Sequence, residues 1–411
     1  MKPLRVCLLT TFFPPHSFGG DAVLVSRLAA SLARDGHEVH VVHSVDAWAL
    51  GATGPPGPEG PPAGVIVHRL ERGGLPGRLS LLISHQLGRP VFDRRALRSI
   101  LASVPFDVTH FHNVSLLGGP AVLGLGRGVT LCTLHDYWTV CSMHVLWRNG
   151  EEACRKRSCL SCTLRGRRPP QLWRATGALR RAARHVDAFL TGSETSRRLH
   201  EANGFPAPIR VLPPFVPDAG PEMEPRVALE PRARRPFFLF AGRLERLKGV
   251  EALLEVFRRY DRADLVMAGD GTLAVDLRRA AADLPHVSFT GALGAAALRE
   301  LYRQAIAVVV PSLCYETFGL VPLEGFQVGT PALVRSGGAL EELVTETSGG
   351  MVWTTEEQLL SAMEILRADP ERRRELGEHG RTAFCERFTE ERHMSAWYEL
   401  VETIRARKGL S

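Results

Sequence analysis

Residues 305–332 read AIAVVVPSLCYETFGLVPLEGFQVGTPA. The apolar run 305–310 has the length and the β-branched content of a strand buried on both faces of a parallel sheet. Residues 311–319 then form a loop that holds Glu316, Phe318 and Gly319. Leu320 opens a helix that carries Glu324 in its first turns. In open α/β sheets, ligands bind beyond the carboxyl ends of the strands. A helix start offers unpaired N–H groups and a positive dipole to a phosphate. Two glutamates eight positions apart, one on each side of that phosphate seat, are placed to accept hydrogen bonds from sugar hydroxyls. The stretch reads as a clamp for a nucleotide sugar, against the plainer reading of a strand, a turn and two solvated carboxylates.

A second stretch upstream agrees with it. Residues 237–241, FFLFA, form a short apolar strand, and 242–249, GRLERLKG, follow directly before the helical pattern of 250–257. Gly242 permits close approach of the backbone. Arg243 and Lys248 put two fixed cations at a strand end, where a diphosphate leaving group develops charge as its bond to the sugar breaks.

With both stretches in view, the chain resembles the retaining glycosyltransferases of family four over nearly its whole length. The resemblance rests on the loop with Gly19 and Gly20, on His135 and Asp136, on the turn 242–249 and on Glu316 with Glu324. It points to a subgroup with an HDYW segment (135–138) followed by a four-cysteine insertion. It implies an α/β chain of the GT-B fold, two Rossmann-like doubly wound domains facing across a cleft. The implied activity is hexosyl transfer from a nucleotide-sugar donor to a hydroxyl of a glycan, a polyprenyl-linked lipid or a small molecule. His135, Arg243, Lys248 and Glu316 are then the catalytic residues, with His135 against the donor sugar. Gly19, Gly20, Gly242, Phe318, Gly319, Leu320 and Glu324 are the donor-binding residues, with Glu324 on the ribose. No Asp-x-Asp pair stands where the diphosphate would need a metal, so catalysis is expected to use no cofactor. The usual proposal for retention has the leaving diphosphate activate the acceptor hydroxyl, with no protein nucleophile.

Length and composition fit that frame. A chain of 411 residues is too long for one ordinary core. Its 45% hydrophobic and 23% charged content is that of a globular protein, and no run approaches the ~20 apolar residues that span a bilayer. Residues 4–13 are apolar but lead into Pro14, Pro15, Gly19 and Gly20, so they read as a first strand rather than a signal segment. The expected location is the cytoplasm, where nucleotide sugars are made.

Net charge is +7, and four of the 51 basic residues are lysines, which leaves 47 arginines. Residues 148–184 hold eleven basic side chains against Glu151 and Glu152. Such a cluster is either a solvated face or an attraction for an anionic acceptor or for anionic head groups at the inner face of a membrane.

Strands at 5–10, 38–42, 107–113, 129–136 and 187–193 alternate with helical patterns, which implies a parallel sheet in an acceptor-side domain, 1–210. Residues 51–64 are a Gly/Pro-rich loop. Prolines make 210–217 a stiff hinge inside a linker, 211–236. Where the family carries an asparagine after proline, this chain has Pro214 and Phe215. The nucleotide-sugar domain is expected at 237–387, and a terminal helix, 388–411, at the return to the first domain.

Cys141, Cys154, Cys159 and Cys162 follow the pattern C-x12-C-x4-C-x2-C within an insertion, 141–162. Four thiolates suit a structural zinc, with His144 as a substitute ligand, or a [4Fe–4S] cluster. Cys7, Cys132, Cys314 and Cys385 sit in apolar contexts and are expected to be buried thiols. Two rival readings remain beside transfer. One is a GT-B protein of other activity, such as an epimerase or hydrolase. The other is a zinc-ribbon-like nucleic-acid binder, disfavoured by the single tight cysteine pair and sparse aromatics.

Overall fold

The computed structural model describes residues 2–52, 54–57, 60–155, 157–217 and 235–410. The chain divides into two units, residues 1–213 with 393–411, and residues 214–392. Each is built on one parallel sheet.

In the first unit the strands are β1 (Arg5–Leu9), β2 (Glu38–Ser44), β3 (Val65–Leu70), β4 (Val108–Phe111), β5 (Val129–Thr133), β8 (Ala188–Thr191) and β9 (Ile209–Val211). Between β5 and β8 lies an antiparallel ribbon of β6 (Trp147–Arg148) and β7 (Glu152–Ala153). The sheet order is β3-β2-β1-β4-β5-β8-β9. Alternate side chains of each strand enter opposite layers. Val6 and Leu8 join one core with Val25 and Leu28, while Cys7 and Leu9 join another with Phe111 and Trp138. The terminal helix Glu390–Lys408 packs into the first of these cores through Met394, Trp397, Leu400, Val401 and Ile404.

In the second unit the strands are β10 (Phe237–Ala241), β11 (Asp264–Ala268), β12 (Val287–Gly291), β13 (Val308–Val310), β14 (Ala332–Arg335) and β15 (Gly350–Trp353), in the order β12-β11-β10-β13-β14-β15. Phe238 and Phe240 face one core; Phe237, Leu239 and Ala241 face the other.

The order of both sheets reverses beside the first strand, between β1 and β4 and between β10 and β13. The crevice outside such a reversal is where this architecture binds ligands. The loops after β10 and β13 are the two stretches singled out in the sequence.

Three readings change. The expected hinge 210–217 begins inside β9, because Phe189↔Ile209 and Thr191↔Val211 extend the sheet by one strand. Most of the expected linker, 218–234, lies outside the described residues. Cys385 is exposed on the helix Pro370–Arg387, and Cys314 is only partly buried, while Cys7 and Cys132 are buried as expected.

Candidate active site

Close backbone packing builds the site in the second unit. Gly249 has φ +71°, and a Cβ there would stand 2.1 Å from the carbonyl oxygen of Pro311. Gly269 has φ +140°, and a Cβ there would stand 1.9 Å from the carbonyl oxygen of Gly242. Only glycine fits either contact. The Leu313 amide donates to the Leu247 carbonyl at 2.9 Å, and that of Leu244 to the Asp270 carbonyl at 2.9 Å. The turn after β10 is thus locked to the loops after β13 and β11.

This locking brings Lys248 and Glu316 together. Lys248 Nζ donates to Glu316 Oε1 at 2.6 Å, and Ser312 Oγ donates to the same oxygen at 2.8 Å. Burial opposes both charges, but each stabilises the other. The Glu316 carboxylate raises the Lys248 ammonium above its ordinary range despite burial. The Lys248 charge, the two hydrogen bonds and Arg243 hold the Glu316 carboxyl below its ordinary range. Both side chains keep part of their surface open, 27% for Lys248 and 24% for Glu316. The Cys314 thiol beside them is pushed up to about 12, by burial first and by Glu316 second, so it stays protonated.

The other expected donor residues divide. Arg243 lies half exposed and donates to Glu245 at 2.8 Å. Gly242 continues from β10 into this turn. Gly319 and Leu320 begin the helix Leu320–Gln327, whose first turn has no side-chain cap, which leaves its N–H groups open to an anion. Phe318 turns its ring toward Phe388, 5.8 Å away, so its side chain belongs to the core. Glu324 accepts from Tyr302 Oη at 3.0 Å. The two glutamates therefore have separate partners, Lys248 and Tyr302. Ser312 and Tyr302 went unnoticed in the sequence. Ser312 had a signal, a polar residue directly after a strand end, while Tyr302 lies on the preceding helix with no local cue.

The first unit holds a second constellation at its own reversal point. Gly19 precedes the helix Gly20–Arg34. His112 follows β4 and His135 follows β5; His112 Nδ1 and His135 Nε2 share a hydrogen bond of 2.8 Å. Asn113 and Trp138 N donate to Asp136 at 2.9 and 2.7 Å. Burial lowers the His135 imidazole to about 4, so it is neutral at neutral pH. The adjacent buried His110 is neutral for the same reason and accepts from Trp397 Nε1 at 3.3 Å.

The metal expectation is corrected. Among the described residues no group of three or more His, Cys, Asp or Glu side chains is arranged to hold a metal ion. Cys159 is exposed at the start of the helix Cys159–Arg165, whereas Cys162 is buried one turn later and accepts from the Asn149 amide at 3.4 Å. His144 is turned to Asp136, with Nδ1 at 3.1 Å. Zinc or an iron–sulfur cluster at Cys141, Cys154, Cys159 and Cys162 is thus not supported. Arg174 supplies order instead: its buried guanidinium donates to the carbonyls of Trp138, Thr139 and Cys141 and lies 4.3 Å above Trp173. The nucleic-acid reading loses its metal module with this.

Two family models match the chain. "Glycosyltransferase Family 4" covers residues 18–219 and "Glycosyl transferases group 1" covers 224–383.

The chain belongs to glycosyltransferase family four.

Among its relatives, an uncharacterised glycosyltransferase of Methanocaldococcus jannaschii is 38% identical over 28% of this chain and 30% of its own length. The GDP-mannose-dependent alpha-(1-6)-phosphatidylinositol dimannoside mannosyltransferase of Mycobacterium tuberculosis is 35% identical over 31% of this chain and 33% of its own length. The matched parts thus span about a third of these relatives. Sucrose-phosphate synthase from Thermosynechococcus elongatus superposes with a TM-score of 0.71 at 20% identity, covering 98% of this chain and 100% of that one. That likeness establishes the GT-B fold of this family-four glycosyltransferase and nothing finer.

Proposed function

We propose that this glycosyltransferase moves a hexose from a nucleotide-sugar donor to a hydroxyl of a glycan, lipid-linked or small-molecule acceptor, with retention of anomeric configuration. One observation carries the reading: the Lys248–Glu316 pair, set by two glycine contacts at the reversal point of the second sheet. Lys248 and Arg243 supply positive charge to the departing diphosphate, helped by the helix start at Leu320. Glu316, kept ionised by Lys248 and Ser312, accepts a hydrogen bond from a sugar hydroxyl rather than attacking carbon. Glu324 accepts from the ribose, steadied by Tyr302. His135, neutral and oriented by His112, donates to or accepts from the donor sugar. Fixed cations, not a metal, carry the leaving charge. A transferase of this kind works in the cytoplasm, where its donors are made.

The relative named as GDP-mannose-dependent makes GDP-mannose the first donor to test. Purified chain incubated with a panel of nucleotide sugars should release nucleoside diphosphate from one donor well above the rest. Interconversion of the sugar without diphosphate release would instead indicate an epimerase.

A further inference from the structure

The helix Gly74–Leu87 buries only one face, through Gly77, Ser80, Leu81 and Ser84. Its opposite face carries Leu75, Leu79 and Leu82, at the i, i+4, i+7 spacing of one helical stripe, and they are 68%, 45% and 42% exposed. Leu87, Val91 and Phe92 extend the exposed apolar surface past the helix end. Scattered surface leucines are ordinary, whereas a contiguous stripe of them marks a contact surface.

The charges around this stripe fix its partner. Arg78, Arg89, Arg94, Arg95 and Arg98 are exposed and have no partner among the described residues. Arg72 is the exception, paired with Asp93 at 2.8 Å. Arg94, Arg95 and Arg98, with Val91, Phe92 and Ser99, line an open depression of about 540 Å³, large enough for a phosphate head group. The arginine-rich segment 148–184 packs against the other side of this helix, where Gln171 Nε2 and His85 Nε2 lie 2.7 Å apart and Gly88 lies directly against Trp173, so the leucine stripe stays uncovered. A second copy docking through this face would set arginine against arginine. A soluble polyanion would use the arginines but leave the leucines in water. An anionic bilayer satisfies both, with leucines in the acyl boundary and arginines among the phosphates.

We infer that the helix Gly74–Leu87 and the arginines that follow it dock this protein onto the surface of an anionic phospholipid bilayer. The inference goes beyond the proposed transfer reaction and does not depend on it. The full chain should float with vesicles of phosphatidylcholine and phosphatidylglycerol, and not with phosphatidylcholine alone. Binding should weaken with salt. Leu79→Glu with Leu82→Glu should abolish flotation. Arg94→Glu, Arg95→Glu and Arg98→Glu together should lower the partition by on the order of a hundredfold, at ~1 kcal/mol for each arginine near the surface. All five side chains are exposed, so circular dichroism should stay unchanged. Flotation with neither vesicle, or equal flotation of both variants and the parent, would overturn the inference. So would a leucine variant that loses self-association where the parent never binds lipid, since the face would then join two copies. Retention of a soluble anionic glycan without vesicle binding would overturn it as well.

Discussion

Lys248→Met should lower turnover about 100- to 1,000-fold, the usual loss when one preorganised donor to developing charge is removed. The fold should survive, because an ion pair with both side chains partly open contributes little, ~0–1 kcal/mol, to stability. Glu316→Gln removes the charge that holds the ammonium in place. Its effect should be nearly as large, and the double variant should be little worse than either single one, since two groups acting as a unit are not additive. Steady-state rates with saturating donor, read beside a thermal melt, check this. A melt that falls while the rate stays near normal would make the pair a structural clasp and remove it from the reaction.

Gly249→Ala should destabilise the second unit by roughly 2–4 kcal/mol and depress turnover with it. The positive φ alone costs an L-residue ~1–2 kcal/mol. The new methyl would also drive the Pro311 carbonyl out of contact, and with it the loop that presents Glu316. Gly291 supplies the control. Its φ is +73°, nearly the same, but nothing lies within 4 Å of its absent Cβ. Gly291→Ala should therefore show only the conformational cost. Denaturant midpoints for the two variants separate strain from collision, and equal losses would show that the Pro311 contact yields freely.

The reach of sequence reasoning differed between the two units. The site in the second unit was legible because its parts are local: strand, Gly242, two cations and Gly249 lie in thirteen consecutive residues, 237–249. Strand, Glu316 and helix start likewise lie in twenty consecutive residues, 305–324. What joins them was not legible. The Lys248–Glu316 bond spans 68 positions and depends on which strands are neighbours. Tyr302 reaches Glu324 from a helix with no motif. Strand β9 was hidden by the prolines that follow it, because Pro213 and Pro214 mark a stop, not where the strand before them pairs. The four cysteines show the opposite error. Their spacing suits a metal, but spacing does not orient thiols, and the helix starting at Cys159 turns Cys162 inward while Cys159 faces solvent. The residue that orders that segment, Arg174, looked like one more arginine in a basic run.

The most direct test of the account is a calorimetric titration of GDP and UDP into the full chain and into Lys248→Met. The account expects saturable binding of one nucleoside diphosphate to the parent chain. Loss of a charge-assisted hydrogen bond of ~1.5–3 kcal/mol should weaken it about ten- to a hundredfold in the variant. Equal affinity in both proteins would contradict the claim that Lys248 and Glu316 mark the donor diphosphate site.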